Sequence, residues 1–229
     1  MLLNMSSLHP NSSSESNAPK KEKSAKEQRQ DKVLRVVENF IRTEGAVNFS
    51  MKELADQAGV SFATPFNLFG SKEEILIALF NQRVAIQAQQ TAARAELLSP
   101  IDNLLRIAQD SADRYLSDSE LFRPLVQAFR IVGTAQGQNA SKDAVNIWAD
   151  AVQRCIADGS ALSSTPIDKT ARRLHLAFRA TFWMWGNEQM TDTEFRQQAV
   201  LATAACMLPF ATVAGRTAIY NRLDKSDLH

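Results

Sequence analysis

An all-α fold is the class this sequence predicts, with a small helical head followed by a larger helical body. Glycine and proline number only 8 and 7 among 229 residues. Ala, Leu, Gln and Arg, which lose little freedom in a helix, are abundant instead. Apolar residues recur at intervals of three and four through most of the chain, the period of one helix face. No segment shows the alternation of a half-buried strand, and no internal repeat stands out. The length suits two domains on one continuous helical framework. The expected division is a leader at 1–30, a head at 31–80, a body at 81–220 and a tail at 221–229.

The leader is polar. Ser12, Ser13, Ser14 and their neighbours cannot support a core. Residues 20–35 hold seven Lys or Arg against three acids. Two readings of that arm stand side by side, a solvated segment and a strand of charge that tracks phosphates. The net charge of +1 carries no message about nucleic acid. Met1-Leu2-Leu3 runs at once into Asn4 and Ser6, so no secretory apolar core is expected and the chain is read as cytoplasmic.

Val33, Val36, Val37, Phe40 and Ile41 mark the first helix of the head, and Gly45 ends it. The next helix opens at a capping box of Ser50 and Glu53, with Phe49 and Leu54 as a hydrophobic staple. Met51, Leu54, Ala55 and Ala58 form its buried face. Gly59 supplies the positive φ of a tight helix–helix turn, because it has no Cβ to clash. Val60 plugs the corner and Ser61 starts a third, aromatic-rich segment. This is a helix-turn-helix, whose second helix lies across a DNA major groove. Ser71 and Glu74 make a further capping box, opening a helix that carries Ile75, Leu76, Leu79 and Phe80.

Helix, capped helix, Ala58-Gly59-Val60-Ser61, aromatic helix and then Phe69-Gly70-Ser71-Lys72-Glu73 resembles the N-terminal domain of the TetR family of bacterial transcriptional regulators. The resemblance covers about residues 31–80; beyond them only length and helical character match. It implies a DNA-binding regulator, in most cases a homodimeric repressor released from a palindromic operator by a small apolar or amphipathic ligand, with no cofactor. Matched by position, the base-facing sites fall on Phe62, Ala63, Thr64 and Phe66, with Ser61 at the start of the recognition helix. The phosphate-contacting sites fall on Ser50, Lys52, Asn67 and Lys72. Where the family often has tyrosine and histidine, this chain has Phe66 and Leu68, which removes two polar contacts. Thr64 alone in the base-facing set can hydrogen-bond to a base, while Phe62, Ala63 and Phe66 suit thymine methyl groups. Pro65 leaves the start of this helix open. With Ser61 as cap, Pro65 forfeits a hydrogen bond; with Thr64 as cap, it occupies the favourable first position of a shorter helix.

Past the head, punctuation divides the body. A long helix from Lys72 to about Leu98 ends at Ser99-Pro100. Helices follow at about 101–116 and 120–134, then a loop bracketed by Gly133 and Gly137, and a helix at about 142–157 stopped by Gly159. The last two helices span about 168–190 and 192–214. From Ala199 to Ala214 there is no charge, and six of those sixteen residues are alanine. That run is too short for a bilayer and is interrupted by Thr203 and Pro209. In proteins of the resembled family the last two helices pair with their copies in a second subunit. Leu174–Trp185 and Ala199–Ala214, with Ala204 at the centre, are therefore expected to form a homodimer interface.

His175, Phe178, Phe182 and Trp185 lie on one helix face. With Phe122, Val126, Phe129 and Trp148 they are candidates to line an apolar ligand pocket, with Arg123 and Arg130 as partners for a carboxylate. The competing reading is that the same rings are core. No catalytic or metal motif is present, and His9, His175 and His229 are the only histidines. Cys155 and Cys206 are isolated and read as small buried apolar residues.

Overall fold

The computed structural model describes residues 24–45, 47–91, 99–128 and 135–224, with only the backbone described at 87–91 and 135–141. Among these residues the chain is helical almost throughout; one isolated bridge, Ala161 to Ala211, is the sole extended pairing. The head comprises α1 (Ala25–Glu44), α2 (Met51–Ala58), α3 (Ala63–Phe69) and the start of α4 (Lys72–Thr91). The body comprises the rest of α4, then α5 (Pro100–Leu116), α6 (Ser119–Ala128), α7 (Ala135–Ala157), α8 (Ile167–Gly186), α9 (Asp192–Met207) and α10 (Val213–Asp224).

Local chemistry accounts for most of these boundaries. Ser24 with Glu27, Ser50 with Glu53, and Thr191 with Glu194 form complete capping boxes at α1, α2 and α9. Ser99 caps α5 and Pro100 takes the first position, where its missing N–H costs nothing.

Two cores are built. Val33, Val37, Ile41, Leu54, Ile75 and Leu79, all fully buried, centre the first on the head. The second lies among α5, α7, α8 and α9 around Leu104, Leu105, Trp185 and Phe195. The helix α6 belongs to both. Leu121 and Leu125 point into the head core, whereas Phe122 points into the body. Phe80 of α4 also touches both cores.

Several boundaries differ from the sequence expectation. Capping by Ser24 starts α1 at Ala25, so a division at residue 30 falls inside that helix. Helix α7 begins at Ala135, which places Gly137 within a helix rather than beside a loop. Helix α8 stops at Gly186, not near Met190. The expected final helix is two: Pro209, which lacks an N–H, sits in a single 3-10 turn at Leu208–Phe210, and α10 starts afresh at Val213 and runs on to Asp224. Gly215 lets α10 lie on the chain at Ser160, because a Cβ there would collide with the Ser160 carbonyl oxygen. The expected ends of α4 and α6, in 92–98 and 129–134, lie outside the described residues. No helix among the described residues is long and apolar enough to cross a membrane.

Candidate nucleic-acid interface and the aromatic body core

Helices α2 and α3 meet at Gly59, which adopts φ 59° and donates its N–H to the Ala55 and Asp56 carbonyls. Helix α3 starts at Ala63 with Phe62 as a cap that makes no side-chain bond. The start left open by the sequence is therefore neither Ser61 nor Thr64. Pro65 becomes the third helical residue, where an N–H would have had no intrahelical acceptor, so the ring breaks nothing. Its side chain is buried. The Ser61 and Thr64 hydroxyls bond each other at 2.8 Å, and the Thr64 N–H donates to the Ser61 carbonyl at 2.9 Å.

The outward face of this motif carries the predicted DNA-contacting residues in unequal states. Phe62 is 59% exposed and Phe66 39% exposed. Ala63 and Asn67 are exposed as well, and Thr64 is half-buried. Ser50 is exposed; its hydroxyl accepts the Glu53 N–H at 3.2 Å, and its own N–H donates to Glu53 Oε2 at 2.8 Å. The Ser50 backbone N–H, and then the Ser50 side chain, hold the Glu53 carboxyl below its ordinary range. Lys52 stands in solvent on the first turn of α2.

Lys72 is different. Its ammonium donates to the Phe49 carbonyl at 2.6 Å and the Val47 carbonyl at 3.1 Å, and lies 4.3 Å from the Phe49 ring centroid. Burial lowers its pKa. Two of its three N–H bonds are thus engaged by the backbone just before α2. The geometry makes it first a fastener between α4 and the entry to α2.

In the body the aromatic candidates do come together, but against one another. Tyr115 and Phe182 ring centroids are 4.3 Å apart, Tyr115 and Phe122 5.0 Å, and Trp185 and Phe195 5.0 Å. Trp148 and Phe178 stand 6.5 Å apart at the edge of this group. Phe178, Trp185, Phe122, Val126 and Trp148 are buried, and Phe182 and His175 half-buried. These contacts are those of a packed core. Phe129 and Arg130 lie outside the described residues. Arg123 does not await a ligand carboxylate: it donates to Asp192 at 2.6 Å and to the Trp185 carbonyl at 3.3 Å, with its guanidinium 4.7 Å from the Trp185 ring centroid. The Trp185 indole N–H donates to the same Asp192 oxygen at 2.8 Å. That bond, and then Arg123, keep Asp192 below the usual carboxylate range.

His175 has a buried Nε2 with no partner among the described residues. Burial, and then the nearby Arg179, push its pKa down to about 4. The imidazole is neutral in the fold, while an unfolded chain takes up a proton below about 6.5. Its contribution is therefore intact above pH 6.5 and is lost as pH falls from there toward 4. His175→Gln should flatten that part of the acid limb in thermal melts; an unchanged limb between those pH values would place the sensitivity elsewhere.

The central role of α6 was not anticipated. Arg42 of α1 pairs with Asp118 at 2.7 Å and with Glu38 at 2.8 Å, and Arg83 of α4 pairs with the same Glu38. On its other side α6 meets the corner between α8 and α9: Gln127 donates to the Gly186 carbonyl at 3.1 Å. A Cβ on Gly186 would overlap Val126. The signal in the sequence was a helix with two apolar stripes, Leu121 with Leu125 and Phe122 with Val126.

The uncharged run of α9 also divides. Ala204, expected at the centre of an interface, is 1% exposed and faces the protomer's own core. The outward stripe is Gln198, Leu201, Ala202, Ala205 and Pro209. On α8 the outward stripe is Leu176, Ala180 and Trp183, with Leu176 60% and Trp183 51% exposed. Cys155 is buried, as expected, with its thiol pushed up to about 11, but Cys206 is only half-buried. Among the described residues no group of side chains could hold a metal ion.

A helix-turn-helix head fastened to a helical body by α4 and α6 is the fold of the TetR-family transcriptional regulators. A TetR transcription regulator from Haloarcula marismortui superposes with a TM-score of 0.61 at 12% identity, covering 81% of this chain and 100% of that one. SmeT, the repressor of a Stenotrophomonas maltophilia multidrug efflux pump, gives 0.60 at 17% identity, covering 81% and 92%. FadR from Bacillus subtilis, solved with stearoyl-CoA, gives 0.58 at 17% identity, covering 79% and 97%. At these identities the likeness is one of fold. No protein-family model matches the chain, and no curated protein matches it in sequence.

Proposed function

We propose that the protein is a DNA-binding transcriptional regulator, a homodimeric repressor whose two heads enter successive major grooves of a palindromic operator. The observation that carries this reading is the capped helix-turn-helix with α3 turned outward and Phe62 and Phe66 exposed at its face. Large apolar rings left in water on a seven-residue helix and on its cap call for a partner surface. Ser50 and Lys52 lie on the same motif, where phosphates would pass. The outward stripes of α8 and α9 supply an apolar face for a second subunit.

In this reading Lys52 is a phosphate contact, and Lys72 positions α2 while keeping one N–H bond for a phosphate. Lys52→Ala should weaken binding to all duplexes alike and lower the salt slope by about one unit. Lys72→Met should weaken binding and also destabilise the head, because two part-buried carbonyls lose their donor. Fluorescence anisotropy against salt, with melts of each variant, separates the two. Equal behaviour of both variants would remove the distinction.

Release by a small apolar or amphipathic molecule is the further part of the proposal. The support is the aromatic cluster, the unpartnered Nε2 of His175 within the body, and α6 as a path from that cluster to the head. A second reading, a head that acts on DNA or protein with no inducer, is favoured by the mutual packing of the rings. An opened cluster would change Trp148 or Trp185 emission and operator affinity together, since linkage is reciprocal. A screen of acyl and aromatic compounds that shifts neither quantity selects the second reading.

A further inference from the structure

The face that α3 presents is unusual for a DNA reader because it carries no charge. From Val60 to Ser71 there is no Lys, Arg, Asp or Glu. The side chains that pair with guanine and with cytosine in a major groove are therefore absent from this segment. Its two hydroxyls nearest the helix start, on Ser61 and Thr64, already bond each other at 2.8 Å. What remains outward, beside the exposed Ser61, is the methyl of Ala63, the amide of Asn67 and the rings of Phe62 and Phe66. Those rings meet edge to face with centroids 5.5 Å apart, so they form one apolar ridge.

One base in the major groove offers an apolar group, the C5 methyl of thymine, and the amide of Asn matches the N6 and N7 edge of adenine. We infer that α3 selects its site by thymine methyl groups packed on the Phe62–Phe66 ridge, with Asn67 on adenine, so that the half-site is a run of A·T pairs. This rests on the DNA-binding reading above and adds the chemistry by which that site chooses its sequence. A duplex, rather than an apolar protein surface, is the occupant because the same helix-turn-helix carries Ser50 and the cationic Lys52, both exposed. Shape carries part of the choice as well, since A·T runs narrow the minor groove, but a methyl contact has its own signature.

The full chain is offered a pool of duplexes with a randomised core, and the enriched duplexes are resynthesised with deoxyuridine for thymidine at each position in turn. Deoxyuridine removes the methyl and leaves base pairing intact. The expected result is an A·T-rich core and a loss of about fourfold in affinity for each contacted methyl, the worth of one buried carbon. The double variant Phe62→Ala with Phe66→Ala, altering exposed residues only, should fold as before, bind more weakly and no longer distinguish thymidine from deoxyuridine. Enrichment of G·C-rich cores, equal binding of deoxyuridine duplexes, or a variant that keeps the distinction would each overturn the inference and leave DNA binding standing. Failure to enrich any duplex would overturn both.

Discussion

Replacing Leu121 by alanine should lower stability by about 2–5 kcal/mol, the range for emptying a buried leucine site, and should do so for head and body in one transition. Leu121 is fully buried, yet its neighbours are head residues such as Val37 and Ile41 rather than those of the body. Its helix is anchored on the other side by Phe122 in the body core and by Arg123 on Asp192. The head core is therefore incomplete without a helix that the body holds. All three tryptophans, at 148, 183 and 185, report on the body, and amide exchange of α1 and α2 reports on the head. Urea midpoints from the two probes should fall together. A variant in which only the head transition moves would show that α6 does not join the two units. The same coupling gives α6 its functional interest, because this one helix touches both the α8–α9 corner and the head core.

Introducing a charge at Trp183 should dissociate the proposed dimer without unfolding the protomer. Trp183 is 51% exposed on α8 and shares its outward stripe with Leu176. A glutamate there is tolerated by the isolated chain, since exposed substitutions away from special features cost little. Inside a helix–helix interface the same carboxylate loses much of its hydration, which the exposed Arg179 one turn away offsets only in part. The penalty is several kcal/mol, so Trp183→Glu should weaken dimerisation by more than about a hundredfold. Sedimentation should give a monomer with native circular dichroism and much reduced operator affinity, as the two heads are no longer linked. An intact dimer would move the interface away from α8. Ala204 is the wrong place for this experiment, because a charge there enters the protomer's own core.

Much of the head was legible in the chain. Capping boxes, the glycine at the turn and the spacing of Leu54, Ala55 and Ala58 act over three or four residues, and both ends of α2 were placed correctly, whereas the Ser24–Glu27 box that starts α1 was passed over. The aromatic stripe of α8 was legible as a stripe, but whether its rings bound a cavity or fill one depends on Tyr115, Phe80 and Phe195, which arrive from three other helices.

By itself, then, the sequence determined the helical class and the helix-turn-helix, because each follows from periodicity and from hydrogen bonds within one turn of helix; the base-facing residues of α3 were named only through the family resemblance. Tertiary structure alone decided the rest. It turned the Lys72 ammonium onto the Phe49 carbonyl, placed Arg123 on Asp192 and Ala204 in the core, and gave Leu121 and Leu125 to the head. Each of these depends on which neighbour reaches a side chain from elsewhere in the chain, and burial against a distant helix leaves no mark in the local pattern that a dimer contact or a ligand would not also leave.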